Sequence, residues 1–253
     1  MNLNDRVKNR HQLMVDKGYE AVMTALIGSQ NYKLDDDQSD LDTITFVLPS
    51  LQDLYLAREP AGGELELDDG KCMYKDIRLA LNLLKKSSPN SVEYFTSNYN
   101  YYNPKYYDIL YSYLNTPNYL KYMIRCNYSH MLYAIAGMAS QFTRRHMPAG
   151  KRYSHALRLL NFSDVYFNSL EVEKLLEVAP SRLEEARIAK RDSRVDMVEY
   201  YDKQCDSIAK LFEEKKTQFV LTCTQQEVQE RGLTLVEKFQ KKLILKYLEG
   251  LND

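Results

Sequence analysis

The chain has 253 residues, with 34 Lys and Arg against 35 Asp and Glu, so its formal net charge is only −1. That balance excludes a uniformly basic protein that binds nucleic acid through its overall charge. No apolar run approaches the roughly 18 residues that a membrane span needs, and the polar N-terminal stretch does not resemble a secretory signal. Four widely spaced cysteines predict reduced, partly buried thiols. Together these features predict a cytoplasmic protein without membrane contact.

The first hundred residues carry both strand and helix signals. The predicted elements are a helix over 4–17 closed by Gly18, strands over 21–27 and 42–49, a hairpin over 59–74 and a helix over 76–86. The hairpin prediction depends on a DG turn between two short runs of alternating character.

Beyond residue 100 strand signals nearly vanish. The helical segments are predicted at 104–115, 117–145, 151–168, 181–191, 193–216 and 224–249, separated by Pro, Gly or Asn. We therefore expect an α+β fold, with a small mixed β-sheet core in residues 1–100 and a helical domain in residues 101–253.

Charge is unevenly distributed along the chain. Residues 35–42 hold five carboxylates in eight positions, whereas residues 109–163 contain no Asp or Glu but seven Lys or Arg and three His. An acidic cluster followed by an acid-free basic segment suits a site for metal-bound phosphates. The alternative is that the two patches attract each other across the fold.

One short segment carries the strongest chemical signal. The first predicted strand delivers Gly28-Ser29, where a glycine allows close backbone approach to a phosphate and the serine adds a hydroxyl donor. The second strand begins around Asp40 and Asp42, which at i and i+2 project from the same face. Two converging carboxylates favour a hard cation such as Mg²⁺ between them.

The order of apolar strand, Gly28-Ser29, polar loop, Ser39-Asp40-Leu41-Asp42 and apolar strand resembles the DNA polymerase beta-like nucleotidyltransferase superfamily. A narrower resemblance covers residues 75–97 and 150–167. It is to a family of predicted nucleotidyltransferases that includes a bacterial RNA-repair-associated member, with relatives in bacteria and phages, and this chain is expected to be a phage member. The resemblance implies an NTP substrate and Mg²⁺ (or Mn²⁺), with an undefined acceptor.

The predicted helix over 151–168 also has a chemical interpretation of its own. Lys151, His155 and Arg158 fall at i, i+4 and i+7 and share a face, and Arg152 adds a further cation. Arg can grip phosphate in a fork, whereas Lys acts as a point charge. These four residues, with Gly28 and Ser29, are the candidate nucleotide-binding set. The alternative is a solvated basic face.

The third carboxylate expected from the superfamily is not evident. The strand 71–74 offers no acid, so Glu66 is the first candidate for the general base, with Asp40 and Asp42 as the metal ligands. Glu64, Asp76 and Glu93 are the other candidates. If none occupies this position, the chain is expected to be slow or to act as a non-catalytic binding module.

Residues 94–133 hold twelve tyrosines. Tyrosines at helical spacing usually fill the edge of a core, and this interpretation is favoured over stacking on RNA bases or on the incoming nucleotide. Residues 182–251 predict an ordinary helical bundle, with an acceptor-binding or dimer surface as the lesser alternative.

The sequence therefore predicts a metal-dependent nucleotidyltransferase whose helical half closes over the nucleotide. It would move an NMP from an NTP to a hydroxyl of an RNA end, a tRNA or a protein, with release of pyrophosphate. The alternative is a catalytically degenerate member that binds nucleotide, RNA or another protein. The oligomeric state is not predicted.

Overall fold

The computed structural model describes residues 2–35, 39–169 and 171–250. Asp36 and Asp37, part of the acidic cluster, lie outside the described residues. The helices are α1 (Leu3–Asp16), α2 (Leu51–Tyr55), α3 (Ile77–Lys85), α4 (Pro89–Thr96), α5 (Tyr107–Leu114), α6 (Pro117–Met123), α7 (Tyr128–Phe142), α8 (Ala149–Asn168), α9 (Pro180–Arg191), α10 (Val198–Gln218) and α11 (Cys223–Glu249). The strands are β1 (Ala21–Ile27), β2 (Asp42–Val47), β3 (Gly62–Leu67), β4 (Gly70–Asp76) and β5 (Asn100–Tyr102).

The strands form one mixed sheet in the order β3-β4-β2-β1-β5. β2 and β4 are parallel, and the other neighbouring pairs are antiparallel. Every residue of β1 is buried, as expected for a central strand with both faces covered. The predicted α+β fold, with a small mixed sheet and a helical C-terminal region, is confirmed.

The two faces of the sheet pack against different helices. On one face, His11 of α1 contacts Thr24, with 3.1 Å between His11 Nδ1 and Thr24 Oγ1, and Thr24 in turn contacts Thr45. On the other face Phe46 stacks on Phe95 of α4, with ring centroids 4.9 Å apart. Because side chains alternate along a strand, Asp42 and Phe46 of β2 belong to this second face, on the side of the helical half.

The hairpin of β3 and β4 fixes where β2 begins. Gly70 has a φ of 130°, and a Cβ there would lie 2.6 Å from the carbonyl oxygen of Leu41. Leu41 also donates its amide to the Asp69 carbonyl at 2.7 Å. Arg6 and Arg10 of α1 form ion pairs with the Asp69 carboxylate. The residue just before Asp42 is therefore held between the hairpin turn and α1.

A single cluster of buried apolar side chains extends from Val22 in β1 to Tyr247 in α11. β5 starts at Asn100, so the last strand of the sheet lies at the expected boundary between the two parts. The division into residues 1–100 and 101–253 stays a prediction.

Three elements were not predicted, and one prediction was wrong. The missed elements are α2, α4 and the three-residue strand β5. The single helix expected over 117–145 is interrupted between α6 and α7, where Asn127 Oδ1 caps α7 by accepting the His130 amide at 2.9 Å. A residue that caps a new helix interrupts an apolar pattern only slightly, so the break leaves little signal.

The cysteines are free thiols; Cys72, Cys126 and Cys205 are buried and Cys223 is exposed. Within the described ranges, no helix has the length and apolar character to cross a membrane.

Candidate functional site

The turn formed by Gly28 and Ser29, called here the Gly-Ser turn, lies next to Asp42. Ile27, the last residue of β1, pairs with Asp42 at the start of β2. Gly28 follows with φ 79° and ψ −158°, and a 3-10 turn begins at Ser29. A Cβ built on Gly28 would lie 3.4 Å from Asp42 Oδ2. The open side of the glycine therefore faces the carboxylate.

Asp42 is held in place and Asp40 is exposed. The Asp42 Oδ1 atom accepts the backbone amide of Lys71 on β4 at 3.1 Å, which leaves Oδ2 on the side of Gly28. Asp40 is two residues nearer the N-terminus and lies in the solvent-exposed loop before β2. Both predicted metal ligands thus lie at the same end of the sheet as the Gly-Ser turn.

A third carboxylate is not assembled beside them. Glu66 pairs with Lys71 across β3 and β4, and its carboxylate forms a 2.8 Å ion pair with the Lys71 ammonium while staying 69% exposed. Lys71 donates its amide to Asp42 and pairs with Glu66, so it lies between the two acids. In the part of the chain that the structure describes, no three His, Cys, Asp or Glu side chains are arranged to hold a metal.

The alternatives to Glu66 have different surroundings. Glu64 also contacts the Lys71 ammonium, at 3.7 Å. Asp76 lies at the far end of β4, opposite Val47, where it caps α3 and bonds Arg78. Asp76 is therefore remote from Asp42.

Glu93 of α4, by contrast, enters the site directly. Its buried carboxylate accepts the Gly28 amide at 3.0 Å and bonds the Tyr32 hydroxyl. Burial raises the pKa of Tyr32 well above its usual value, the Arg158 charge lowers it, and Glu93 raises it. Glu93 thus already accepts the backbone amide of Gly28, a residue predicted to approach a phosphate closely.

The cationic face of α8 reaches this turn through Arg158. Its guanidinium lies over the Tyr32 ring, 3.9 Å from the centroid, and the side chain is 7% exposed. Among the described residues the Arg158 Nε atom has no hydrogen-bond partner, and neither has the Ser154 hydroxyl one turn earlier. Unsatisfied buried donors are costly, so these two atoms favour a ligand or water at this face.

His155 is neutral at ordinary pH. Burial, followed by the charges of Arg158, Lys151 and Lys190, lowers the pKa of its imidazole to about 3. The ring stacks on Phe142 with 5.8 Å between centroids. Lys151, at the start of the same face, is exposed. Lys151, Arg158 and Lys190 therefore lie close enough to His155 for their charges to act on its pKa.

Arg152 does not join this group. It is 2% exposed, and its guanidinium donates to the carbonyls of Met147 and Phe142 and pairs with Asp202. All three contacts are structural and lie on another side of α8. They do not support the nucleotide-binding role predicted for Arg152.

Helix α9 contributes residues that the sequence analysis missed. Lys190 Nζ lies 2.6 Å from the Leu34 carbonyl oxygen and 3.3 Å from the Ser39 hydroxyl. Arg187 Nε donates to the Lys33 carbonyl at 3.1 Å, and Arg191 contacts the Asp35 carbonyl at 3.4 Å. The only sequence signal is the spacing of these cations at i, i+3 and i+4, which is also typical of a solvated helix face.

The tyrosines divide between the core and the surface. Tyr94, Tyr106, Tyr113 and Tyr128 are buried, whereas Tyr107, Tyr111, Tyr119 and Tyr133 are exposed. The Tyr32 ring, which contacts Arg158, lies outside the tyrosine-rich segment.

Comparison with known proteins identifies the family. Residues 5–161, more than half of the chain, match RlaP, the RNA repair pathway DNA polymerase beta family. No curated protein matches the chain. Among solved structures it is similar to a nucleotidyltransferase-like protein from Exiguobacterium sibiricum 255-15, with 14% identity, coverage of 97% of this chain and 77% of that chain, and a TM-score of 0.31. Residues 5–161 contain the Gly-Ser turn, Asp42 and most of α8, and the family match over these residues confirms the resemblance noted in the sequence. The chain is a nucleotidyltransferase-like protein that belongs to the RNA repair pathway DNA polymerase beta family.

Proposed function

We propose that this protein transfers an NMP from an NTP to a hydroxyl acceptor, releases pyrophosphate, and requires Mg²⁺ or Mn²⁺. The observation that supports this most is the meeting of Gly28 with the Asp42 carboxylate at the junction of β1 and β2. A glycine that leaves its side-chain position open beside a carboxylate provides space for a phosphate and a cation together.

The donor atoms at this junction suit a divalent cation. Asp42 Oδ2 borders the space that a Gly28 side chain would fill, and Asp40 adds a second carboxylate from the exposed loop. Carboxylate oxygens are the hard ligands that Mg²⁺ prefers. When bound, the cation would neutralise phosphate charge and polarise the acceptor hydroxyl.

The chain's own residues would bind and orient the nucleotide. Gly28 and Ser29 would face the terminal phosphates, which must then displace Glu93 from the Gly28 amide. Arg158 has a free buried donor for a phosphate oxygen, and Lys151 adds a point charge at the solvent side. His155 would act as a neutral hydrogen-bond donor, because its pKa of about 3 keeps it uncharged.

The proposed reaction is an in-line displacement. The acceptor hydroxyl oxygen forms a bond to the α-phosphorus, and the bond from that phosphorus to the bridging oxygen breaks. Pyrophosphate leaves with the electron pair, and the hydroxyl proton passes to water. An RNA end, a tRNA or a protein hydroxyl would serve as acceptor.

Labelled NTPs, Mg²⁺ or Mn²⁺, and RNA, tRNA or protein acceptors test this proposal with the full chain. We expect label transfer by the native protein and at least a hundredfold loss in Asp42→Asn. That change keeps the acceptor for the Lys71 amide but removes the charge. Asp206→Asn, at an exposed position of α10, is the control. Unimpaired transfer by Asp42→Asn would refute the mechanism.

A second function has a specific observation in its favour. Lys71 contacts Asp42 through its backbone amide. Its ammonium, which pairs with Glu64 and Glu66, would suit a site that binds phosphate without turning it over. A protein that binds NTP tightly, transfers no label to any acceptor class, and loses NTP binding in Arg158→Ala would be such a binding module.

A further inference from the structure

Helix α9 lies outside residues 5–161, the part of the chain that matches the family. It nevertheless contacts the loop that joins the Gly-Ser turn to Asp40. Arg187 and Arg191 hold backbone carbonyls at the first end of this loop, at Lys33 and Asp35. This helix therefore brings residues from outside the matched region to the edge of the candidate site.

Lys190 connects the two ends of that loop. Its ammonium contacts the Leu34 carbonyl at 2.6 Å and the Ser39 hydroxyl at 3.3 Å, and Ser39 directly precedes Asp40. Ser39 is also held from the opposite side, because Gln30 Nε2 donates to its carbonyl at 3.0 Å. Ser39 is thus fixed between the Gly-Ser turn and α9.

The position of Lys190 is set by the packing of α9 on α8. Ala186 and Ala189 are buried, and a methyl group on Gly150 would overlap the Ala189 carbonyl oxygen. The two helices are therefore in backbone contact beside Lys190. Its charge reaches His155 of α8 and helps to lower that pKa, which agrees with a location between the two helices.

We propose that Lys190 is a positioning residue that holds Ser39, and through it the exposed Asp40, in the orientation that binds the divalent cation. This inference rests on the proposed function, in which Asp40 is a metal ligand. A charged hydrogen bond that fixes a loop lowers the entropy lost when the loop's carboxylate engages a cation.

A repulsive role and a positioning role of Lys190 predict opposite changes in Mn²⁺ binding when its ammonium is removed. If Lys190 acted on the cation only by repulsion, its removal would tighten Mn²⁺ binding. If Lys190 positions Asp40, its removal weakens Mn²⁺ binding. Lys190→Met removes the ammonium, Lys190→Arg keeps the charge and hydrogen-bonding ability, and Arg182→Met changes an exposed cation of the same helix.

The readout is Mn²⁺ bound to the full chain, followed by electron paramagnetic resonance with a non-hydrolysable NTP present. We expect about tenfold weaker Mn²⁺ binding for Lys190→Met, partial recovery for Lys190→Arg and no change for Arg182→Met. In transfer assays kcat should fall more than the KM for NTP rises. Combining Lys190→Met with Ser39→Ala should add little to the single change, since both break the same contact.

Unchanged or tighter Mn²⁺ binding by Lys190→Met, with the native thermal transition, would overturn the proposal. A native protein that binds no Mn²⁺ would overturn it as well, because Lys190 would have no cation site to serve. A protein that transfers no label but loses Mn²⁺ affinity in Lys190→Met would refute the proposed reaction and leave the positioning role standing.

Discussion

Replacing Gly28 with alanine tests whether the Gly-Ser turn is strained around its carboxylate partner. The backbone there has φ 79° and ψ −158°, a region that is essentially restricted to glycine and costs other residues about 1–3 kcal/mol. The added methyl would lie 3.4 Å from Asp42 Oδ2 and 3.8 Å from Asp42 Cβ, which is ordinary contact. The cost therefore comes from the backbone and not from a clash.

For a chain of this size, about 1–3 kcal/mol corresponds to a fall in Tm of roughly 2–12 °C. Urea and thermal unfolding measure it. Gly137→Ala is one control, since that helical position has nothing within 4 Å and no positive φ; alanine should stabilise it by about 0.5–1 kcal/mol. Gly18→Ala is the second, with a φ of 86° but open space around it.

Transfer assays on the same variants distinguish a loss of stability from a loss of function. Gly28→Ala places a methyl group in the space proposed for phosphate and cation, so transfer should fall far more than the loss of folded protein explains. Gly18→Ala should lose stability alone. If Gly28→Ala unfolds like the native protein and transfers label at the native rate, the geometry assigned to this turn is wrong.

Three further predictions concern Glu93, the buried histidines and Arg152. Glu93→Gln keeps an acceptor for the Gly28 amide but removes a charge that competes with phosphate. Calorimetry should therefore show NTP binding several-fold tighter. Abolished transfer would instead make Glu93 the missing catalytic carboxylate. Burial holds the pKa of His11 at about 4 and that of His155 at about 3, both below the unfolded value. The unfolded chain therefore binds more protons below pH 6.5, and each histidine should cost about 2 kcal/mol of unfolding free energy between pH 7 and pH 5. His155→Gln should remove its share; a pH dependence of the unfolding free energy identical to that of the native protein would contradict this. Arg152→Met leaves Asp202 with the exposed Arg145 but without its buried partner, and it should lower the unfolding free energy by about 3 kcal/mol. The KM for NTP should be unchanged in the folded protein; the reverse pattern would restore Arg152 to the binding set.

The sequence predicts best what is encoded locally. Gly28 follows one strand and Asp42 begins the next, and the antiparallel pairing of these strands brings the two positions together. The DG turn likewise marked the hairpin of β3 and β4. Arg152 lies about 100° around α8 from Lys151, so a stricter use of the helical spacing would have separated it from the cationic face.

The parts that escaped prediction depend on contacts between distant segments. Lys190 meets Leu34 across 156 positions of sequence, and nothing in a stretch of mixed charges indicates which loop it touches. Glu93 is an alternative candidate for the third carboxylate, but its bond to the Gly28 amide depends on α4, whose eight residues show no clear helical period. β5 is only three residues long and pairs through its backbone.

The backbone contact between Gly150 and Ala189 holds α8 and α9 together. Because the two helices cannot slide apart without losing this contact, Lys151, Arg158 and Lys190 are kept near His155, where the charge of each helps to lower the pKa of the imidazole. A multiply charged anion beside His155 would be attracted by all three cations. Under the proposed function, this attraction would strengthen the binding of a triphosphate, and it would diminish as salt screens the charges.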